Sequence, residues 1–419
     1  MIYLFKFLFE RFPLKFQAVV LAIYFISGMS LIKKSKKRKK ILVFSYNRWK
    51  VDLKKLVDLS PYNYIAINQR RLEIINSYVL KINKDYNINF LSLIIKVIYK
   101  IRKFDLCLTC NIAYNSEREW IGIIEKENIP FVAIHKEFTI IDERQINGYT
   151  IHWKKKKKFL GTRVLVANEQ AKKIMVKSKI ADAEKVNICG LLRSDFLFEN
   201  QIKSKKDSLV LFSFGHLTGP FKGKLDIRDH YFSKNSDKGF VKLFEEVHRI
   251  FMEFAVSHPD LEFFIQPKNW ENKGWINEIK DVCNRYLKVD INSIKNLKII
   301  KKSAQELMKN SILNICLNST VALESRIMER NTLLPVFEEA KKKHKKNLYF
   351  ADFFDLFFLA KSKTQFKKLI QKAIQKELVH AKNYKRLKLM SSYYLGNNDG
   401  KCYIRINKIL NEIINKKET

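Results

Sequence analysis

The sequence predicts an α/β protein built from two tandem domains, each a parallel sheet wrapped by helices. Three observations lead there. Short apolar runs alternate with helix-length amphipathic segments, the pattern of right-handed strand–helix–strand crossovers. The runs fall into two series, divided by the polar and charged stretch Asn200–Asp207. Many of them end in a cluster of small or polar residues, where ligands sit in open parallel sheets.

Residues 1–40 stand apart as an apolar and basic segment. Met1–Lys15 (MIYLFKFLFERFPLK) can lie in a membrane interface as an amphipathic helix. Phe16–Ile32 is apolar apart from Gln17, Ser27, Gly28 and Ser30, at the short end of what spans a bilayer, about 17 residues. A basic cluster follows from Lys33 to Lys40, the reverse of a secretory signal and suited to the anionic cytoplasmic leaflet. Charge asymmetry then keeps the rest at the cytoplasmic face of the plasma membrane, peripheral or with a single N-terminal anchor. The competing reading is a buried first helix.

The first domain, residues 41–200, opens with Ile41–Tyr46 (ILVFSY). Strand-like runs follow at Tyr64–Ile67, Leu106–Cys110, Phe131–Ile134, Val164–Ala167 and Val186–Cys189, with helical segments such as Leu91–Arg102 and Glu117–Glu127 between them. The second, residues 201–360, starts at Leu209–Phe214 (LVLFSF) and continues through Leu261–Gln266, Leu297–Ile300, Ile312–Leu317 and Leu333–Val336. Residues 361–419 read as a helical, lysine-rich tail without strand signal.

A length of 419 residues, 47% hydrophobic and 13% aromatic, supports two substantial cores and excludes a disordered chain. The net charge of +38 admits nucleic acid, an anionic membrane or an acidic substrate. Lysine outweighs arginine, and no zinc-finger spacing, RNA-binding signature or P-loop occurs, which argues against specific nucleic-acid binding. Cys107 and Cys110 form a C-x-x-C inside an apolar run with no second pair. The six cysteines therefore read as buried, reduced thiols rather than a metal or redox site.

The most informative stretch is Ser311–Val336. A strand is broken by Asn318-Ser319-Thr320, and a helix runs from Val321 to Met328. Ser319 and Thr320 fall at N-cap positions, where free backbone N–H groups and the helix dipole favour a phosphate. Glu324 lies one turn on, placed to accept hydrogen bonds from a ribose. An ordinary capped crossover helix has the same spacing. After Phe131–Ile134 come His135 and Glu137, either of which can take a proton from an acceptor hydroxyl, or stand in a mixed-charge surface loop. Gly190-Leu191-Leu192-Arg193-Ser194-Asp195 offers Arg193 as a phosphate clamp or a partner for Asp195. Ser213, Gly215 and His216 make a donor-rich turn for a pyrophosphate, and Lys268 after the next run is a phosphate-binding charge or a solvated surface lysine. No D-x-D is present.

In order, FVAIHKEF, VNICGLLRSDF, FSFGH, FIQPKNW and ICLNSTVALES resemble segments of bacterial surface-polysaccharide proteins. The likeness is to the CDP-glycerol glycerophosphotransferase-like and capsule glycosyltransferase-like groups of the GT-B fold, across about Ile41 to Ala360. It implies two Rossmann-like domains facing across a cleft, with a nucleotide-linked donor on the second and a polysaccharide or lipid-linked acceptor on the first. It implies that Ser319, Thr320 and Glu324 hold donor phosphates and ribose, with Ser213, Gly215 and Lys268 lining the donor side, and His216 and Asn318 count with them as donor-binding residues. His135 or Glu137 is then the base, and Arg193 stabilises the departing nucleotide. No metal or cofactor is implied beyond the activated co-substrate. One departure stands out. Polyol-phosphate members usually carry Lys-Pro-His where this chain has Gln266-Pro267-Lys268, which leaves a nucleotide-sugar donor open beside a polyol-phosphate one. A non-catalytic scaffold of the same fold and a charge-driven nucleic-acid binder are the rival classes.

Overall fold

The computed structural model describes residues 11–35, 39–79, 84–113, 115–136, 140–199, 208–218, 238–268, 273–380 and 383–416. The expected linker Asn200–Asp207 and the candidate base Glu137 lie outside the described residues. The chain forms two compact units, Met1–Phe196 with Ser392–Thr419, and Leu197–Ser391.

The first unit carries a seven-stranded sheet. Its strands are β1 (Met29–Lys33), β2 (Lys40–Val43), β3 (Asn63–Ile67), β4 (Leu106–Thr109), β5 (Phe131–His135), β6 (Arg163–Val166) and β7 (Val186–Ile188). The order is β1-β3-β2-β4-β5-β6-β7, parallel except for β1, which pairs antiparallel with β3 at the edge. Its helices are α1 (Leu14–Ser27), α2 (Tyr46–Leu59), α3 (Gln69–Val79), α4 (Lys84–Ile101), α5 (Asn115–Lys126), α6 (Glu143–Lys154) and α7 (Glu169–Lys177). Because side chains alternate across a strand, the central strands feed two cores. Leu42, Phe44, Cys107, Phe131 and Ala133 meet Phe25 of α1, Ile94 of α4 and Trp120 of α5 on one side. Ile41, Val43, Leu106, Leu108 and Val132 meet Trp49, Leu53 and Leu56 of α2 on the other.

The N-terminus departs from expectation. The apolar run does not form one helix to Ile32. Helix α1 stops at Gly28, and Met29–Lys33 becomes the edge strand. Gln17, Ala18, Leu21, Ala22 and Phe25 turn into the protein. Among the described residues no helix is long and apolar enough to cross a membrane.

The second unit carries β8 (Ser208–Ser213), β9 (Glu262–Pro267), β10 (Leu297–Ile299), β11 (Ser311–Cys316), β12 (Thr332–Pro335) and β13 (Phe358–Ala360), all parallel, in the order β10-β9-β8-β11-β12-β13. Its helices are α8 (Val241–Ser257), α9 (Lys273–Leu287), α10 (Ala304–Asn310), α11 (Thr320–Ile327) and α12 (Lys363–Ile374). Helix α13 (Tyr384–Leu395) leads the chain back to the first unit. There α14 (Cys402–Asn415) lays Cys402, Ile406, Leu410 and Ile414 against the α2 side of the sheet. The expected helical tail is thus the end of the second unit followed by a flank of the first. Its lysines obscured a strict apolar spacing at 402, 406, 410 and 414.

Each sheet has a point where strand order reverses, between β2 and β4 in the first unit and between β8 and β11 in the second. The crossovers leave in opposite directions there, opening a crevice beyond the carboxyl ends of the strands.

Candidate functional site

At the first unit's reversal point the backbone makes a left-handed step. Ser45, two residues past β2, has φ 52° and stands before the first turn of α2, with its side chain buried. Across the crevice Glu117, in the first turn of α5, is 1% exposed and accepts a hydrogen bond from the Thr109 hydroxyl at the end of β4. Burial raises the Glu117 pKa, against the opposing pull of the Ser45 and Thr109 hydroxyls and the Arg48 guanidinium. A carboxyl held this way binds its proton more tightly than a surface glutamate.

Beside it, Asp52 of α2 lies 3.4 Å from Lys136 Nζ and 4.0 Å from an Arg193 guanidinium nitrogen. The Lys136 ammonium also sits 4.4 Å from the Trp49 ring centre, a cation–π arrangement. Two cations sharing one carboxylate leave net positive charge at the ends of β5 and β7.

The expected proton acceptor His135 is placed differently from a loop residue. Strand β5 runs one residue further than the sequence suggested, and His135 pairs with Val166 of β6. Phe131, Ala133 and His135 then share one face, so the imidazole enters the core edge-on to Trp153, with ring centres 5.3 Å apart. It is 1% exposed, and burial pushes its pKa down to about 3, which makes it a neutral and weak base. Lys136, one residue on, reaches the polar cluster instead.

The G-L-L-R-S-D segment divides its two charges. Arg193 lies by Asp52 and not by Asp195. Asp195 is buried and accepts from Asn397 Nδ2 at 2.9 Å and from the backbone N–H groups of Cys402 and Tyr403 at 3.0 Å each. A carboxylate at that position satisfies the open N–H groups at the start of α14. Gly190 has φ +86°, and a Cβ there would fall 2.4 Å from Cys402 Sγ, so glycine is required for the last helix to close in.

In the second unit the register of β8 with β9 and β11 brings the expected donor residues to one edge. Ser213 pairs with Pro267, next to Lys268, and Phe212 pairs with Cys316, two residues before Asn318. Several of these side chains build the turns themselves. Ser213 is buried, 2.8 Å from His248 Nε2 and 3.0 Å from Trp275 Nε1. His248 Nδ1 lies 2.7 Å from the Phe244 carbonyl and so must carry the proton; Nε2 then accepts from Ser213, which accepts from Trp275. Burial holds His248 neutral, with a pKa of about 4. The Ser213 hydroxyl is therefore used inside the domain, a correction to its expected place along the donor.

Asn318 is likewise structural. At φ 46° it donates to the carbonyls of Thr218 at 3.1 Å and Asn347 at 3.0 Å, and accepts from the Tyr349 N–H at 2.8 Å. Its amide ties the turn after β8 to the turn after β11. Ser319 is the N-cap of α11, its hydroxyl 3.3 Å from the Val321 N–H, as expected, while Thr320 is the first helical residue. Thr320 and Glu324 are half-buried and one turn apart on the same face. The Glu324 carboxylate adds to burial in raising the Cys316 thiol pKa. A Cβ at Gly215 would meet the Trp275 ring at 3.9 Å, an ordinary van der Waals contact without clash. His216 Nε2 lies 2.8 Å from Glu278 Oε1. Lys268 is exposed, and desolvation lowers its pKa; the exposed surface limits how far that shift goes.

Sequence reading missed Ser45, Arg48, Asp52, Thr109, Glu117, His248 and Trp275. A serine closing an apolar strand was a usable signal for Ser45. Nothing in the spacing marks Glu117, whose neighbours on α5 are equally polar.

No protein-family model matches the chain, and no curated protein matches it. Solved structures do. A wall teichoic acid polymerase TagF structure with CDPG soaked in aligns with a TM-score of 0.51 at 11% identity, over 97% of this chain and 95% of that one. A further TagF structure gives 0.50 at 11%, over 98% and 96%. A structure described as a UDP-N-acetylglucosamine 2-epimerase from Listeria monocytogenes gives 0.50 at 11%, over 91% and 98%. The likeness shows the fold: two Rossmann-like parallel-sheet units of the GT-B type, shared with a protein of bacterial surface-polymer synthesis.

Proposed function

We propose that the protein transfers a sugar, or a polyol phosphate, from a nucleotide-activated donor to a growing surface polysaccharide or a lipid-linked acceptor. The observation that carries this reading is the strand-order reversal between β8 and β11, edged by His216, Lys268, Thr320 and Glu324. The start of α11 and the Lys268 ammonium suit the donor phosphates, and Glu324 suits the ribose hydroxyls. Ser213 and Asn318 support that edge from behind. The TagF and epimerase structures share this fold and are named for enzymes that handle nucleotide-linked substrates, which favours the same donor class here.

On the acceptor side, an incoming hydroxyl gives up its proton as it attacks the activated carbon or phosphorus. The nucleotide diphosphate or monophosphate then leaves with the bonding electron pair. His135 belongs to the core, so the base is a carboxylate: Glu137, expected from its place after β5, or Glu117. Arg193 and Lys136 leave positive charge at the ends of β5 and β7, suited to an anionic acceptor on the first unit.

A thermal-shift screen against CDP-, UDP-, GDP-, ADP- and CMP-linked donors, CDP-glycerol included, tests the reading. One nucleotide class raises the Tm, and Glu324→Ala or Lys268→Ala weakens its binding by about tenfold or more, the worth of one charge-assisted contact. Silence with every donor, or undiminished binding in both variants, rejects it.

A further inference from the structure

Helix α1 has two apolar faces, and among the described residues only one is buried. Ala18, Leu21, Ala22 and Phe25 point into the core. On the opposite side Phe12, just ahead of the helix, and Phe16, Val19 and Ile23 follow one another at helical spacing, and all are exposed, Phe16 by 48% and Ile23 by 54%. The Phe12 and Phe16 rings sit 4.8 Å apart. No charged residue occurs from Phe16 to Leu31, while exposed Arg11 and Lys15 flank the two phenylalanines and exposed Lys34 follows the strand. A stripe of this kind is unfavourable in water, and soluble surfaces rarely keep one without a partner.

We propose that this face is a membrane-docking surface, laid flat in the interface of an anionic bilayer with Arg11 and Lys15 against the headgroups. Three features select that occupant and that depth. The stripe is narrow and rimmed by cations, as in helices that rest in the interface. The helix is 14 residues, about 21 Å long, short of a hydrocarbon core of about 30 Å. Its inner face and the strand that follows it are built into the unit, with β1 hydrogen-bonded to β3 and Arg71 donating to the Tyr24 carbonyl at 2.7 Å, so spanning would dismantle the sheet edge. The surface binds through apolar contact and charge together, and never threads through. This inference does not rest on the donor reading, and its test contains no nucleotide.

The full-length protein is sedimented with vesicles of phosphatidylcholine alone or mixed with phosphatidylglycerol. It is expected to bind the anionic vesicles, to release at high salt or in alkaline carbonate, and to lose about tenfold or more of its partitioning in Phe16→Glu/Ile23→Glu. Because both positions are exposed, that variant keeps the wild-type Tm and circular dichroism spectrum. The proposal is overturned if the wild type ignores anionic vesicles or resists carbonate as a spanning helix would. It is also overturned if the double variant binds undiminished, or if the wild type is an oligomer that the variant dissociates, which would assign the stripe to a second copy.

Discussion

The two strand-reversal points share a geometry and differ in chemistry. In the first unit the crevice holds an ionisable group: Glu117 buried against Thr109, with Asp52, Lys136 and Arg193 alongside. In the second it is backed by neutral groups, the Trp275–Ser213–His248 chain and the Asn318 amide, while the charged Lys268 and Glu324 stand further out. A crevice that moves a proton needs a group whose charge can change. One that cradles an already charged nucleotide needs rigid turns and few competing charges. A polar residue at a strand end is therefore as often a builder of the site as a member of it.

The comparison breaks first where the neutral chain is cut. His248→Ala removes a buried ring and leaves Ser213 without its acceptor, for a loss of about 3 kcal/mol in the second unit, read from urea unfolding followed by Trp275 fluorescence. A loss under about 1 kcal/mol would mean the chain is incidental.

Acid sharpens it next. His248 and His380 are neutral in the fold, with pKa values of about 4 and about 3, lowered by burial from an unfolded value of 6.5. Below about pH 6.5 the unfolded chain binds protons that the native unit refuses. Stability then falls by up to about 1.4 kcal/mol per pH unit for each histidine, down to their folded values. Urea midpoints at pH 7, 6 and 5 should decline accordingly, and less steeply in His248→Gln. A flat profile contradicts the neutral assignment.

Asn318→Ala removes three hydrogen bonds and a residue suited to φ 46°, and should cost about 2 kcal/mol and weaken donor binding without touching the donor. Asn318→Asp, which keeps the acceptor of the Tyr349 N–H but sets a carboxylate oxygen against the Thr218 and Asn347 carbonyls, should cost at least as much. Unchanged stability with weakened donor binding would assign Asn318 to the ligand instead.

The smallest effect belongs to the first unit. Because the folded Glu117 pKa is raised, its stabilising share is full below about 4.5 and is lost as pH rises through the folded value. Glu117→Gln should thus gain on wild type as pH increases from about 4.5 to about 7.5, read in Tm-derived stability. A gap that does not change with pH rejects the assignment.

The strands were legible in the sequence because buried parallel strands are short, wholly apolar runs. Ile312–Leu317 and Leu209–Phe214 each match a strand to within a residue. Edge strands were not. Met29–Lys33 hides at the end of a run that looked like one helix, and Phe358–Ala360 is three residues in an aromatic stretch. In the site, the Ser319 cap was legible because capping is local. His135 was misplaced by one residue of strand length, which in a two-residue period decides between solvent and core. The partners of Ser213, Asn318 and Asp195 lie 29 to 208 residues away, and no local spacing reveals them.

The link from Asp195 to the start of α14 bears on how the chain is made. Synthesis delivers the whole of residues 197–391 before the helix that covers Leu53 and Leu56. The domain begun first is thus completed last, its flank open while the later domain folds. A nascent chain stalled near its end, or clipped before Cys402, would present a finished second unit attached to an unsealed first one. The flank left open lies nearly three hundred and fifty residues upstream of the helix that seals it, since Leu53 and Cys402 share one core cluster.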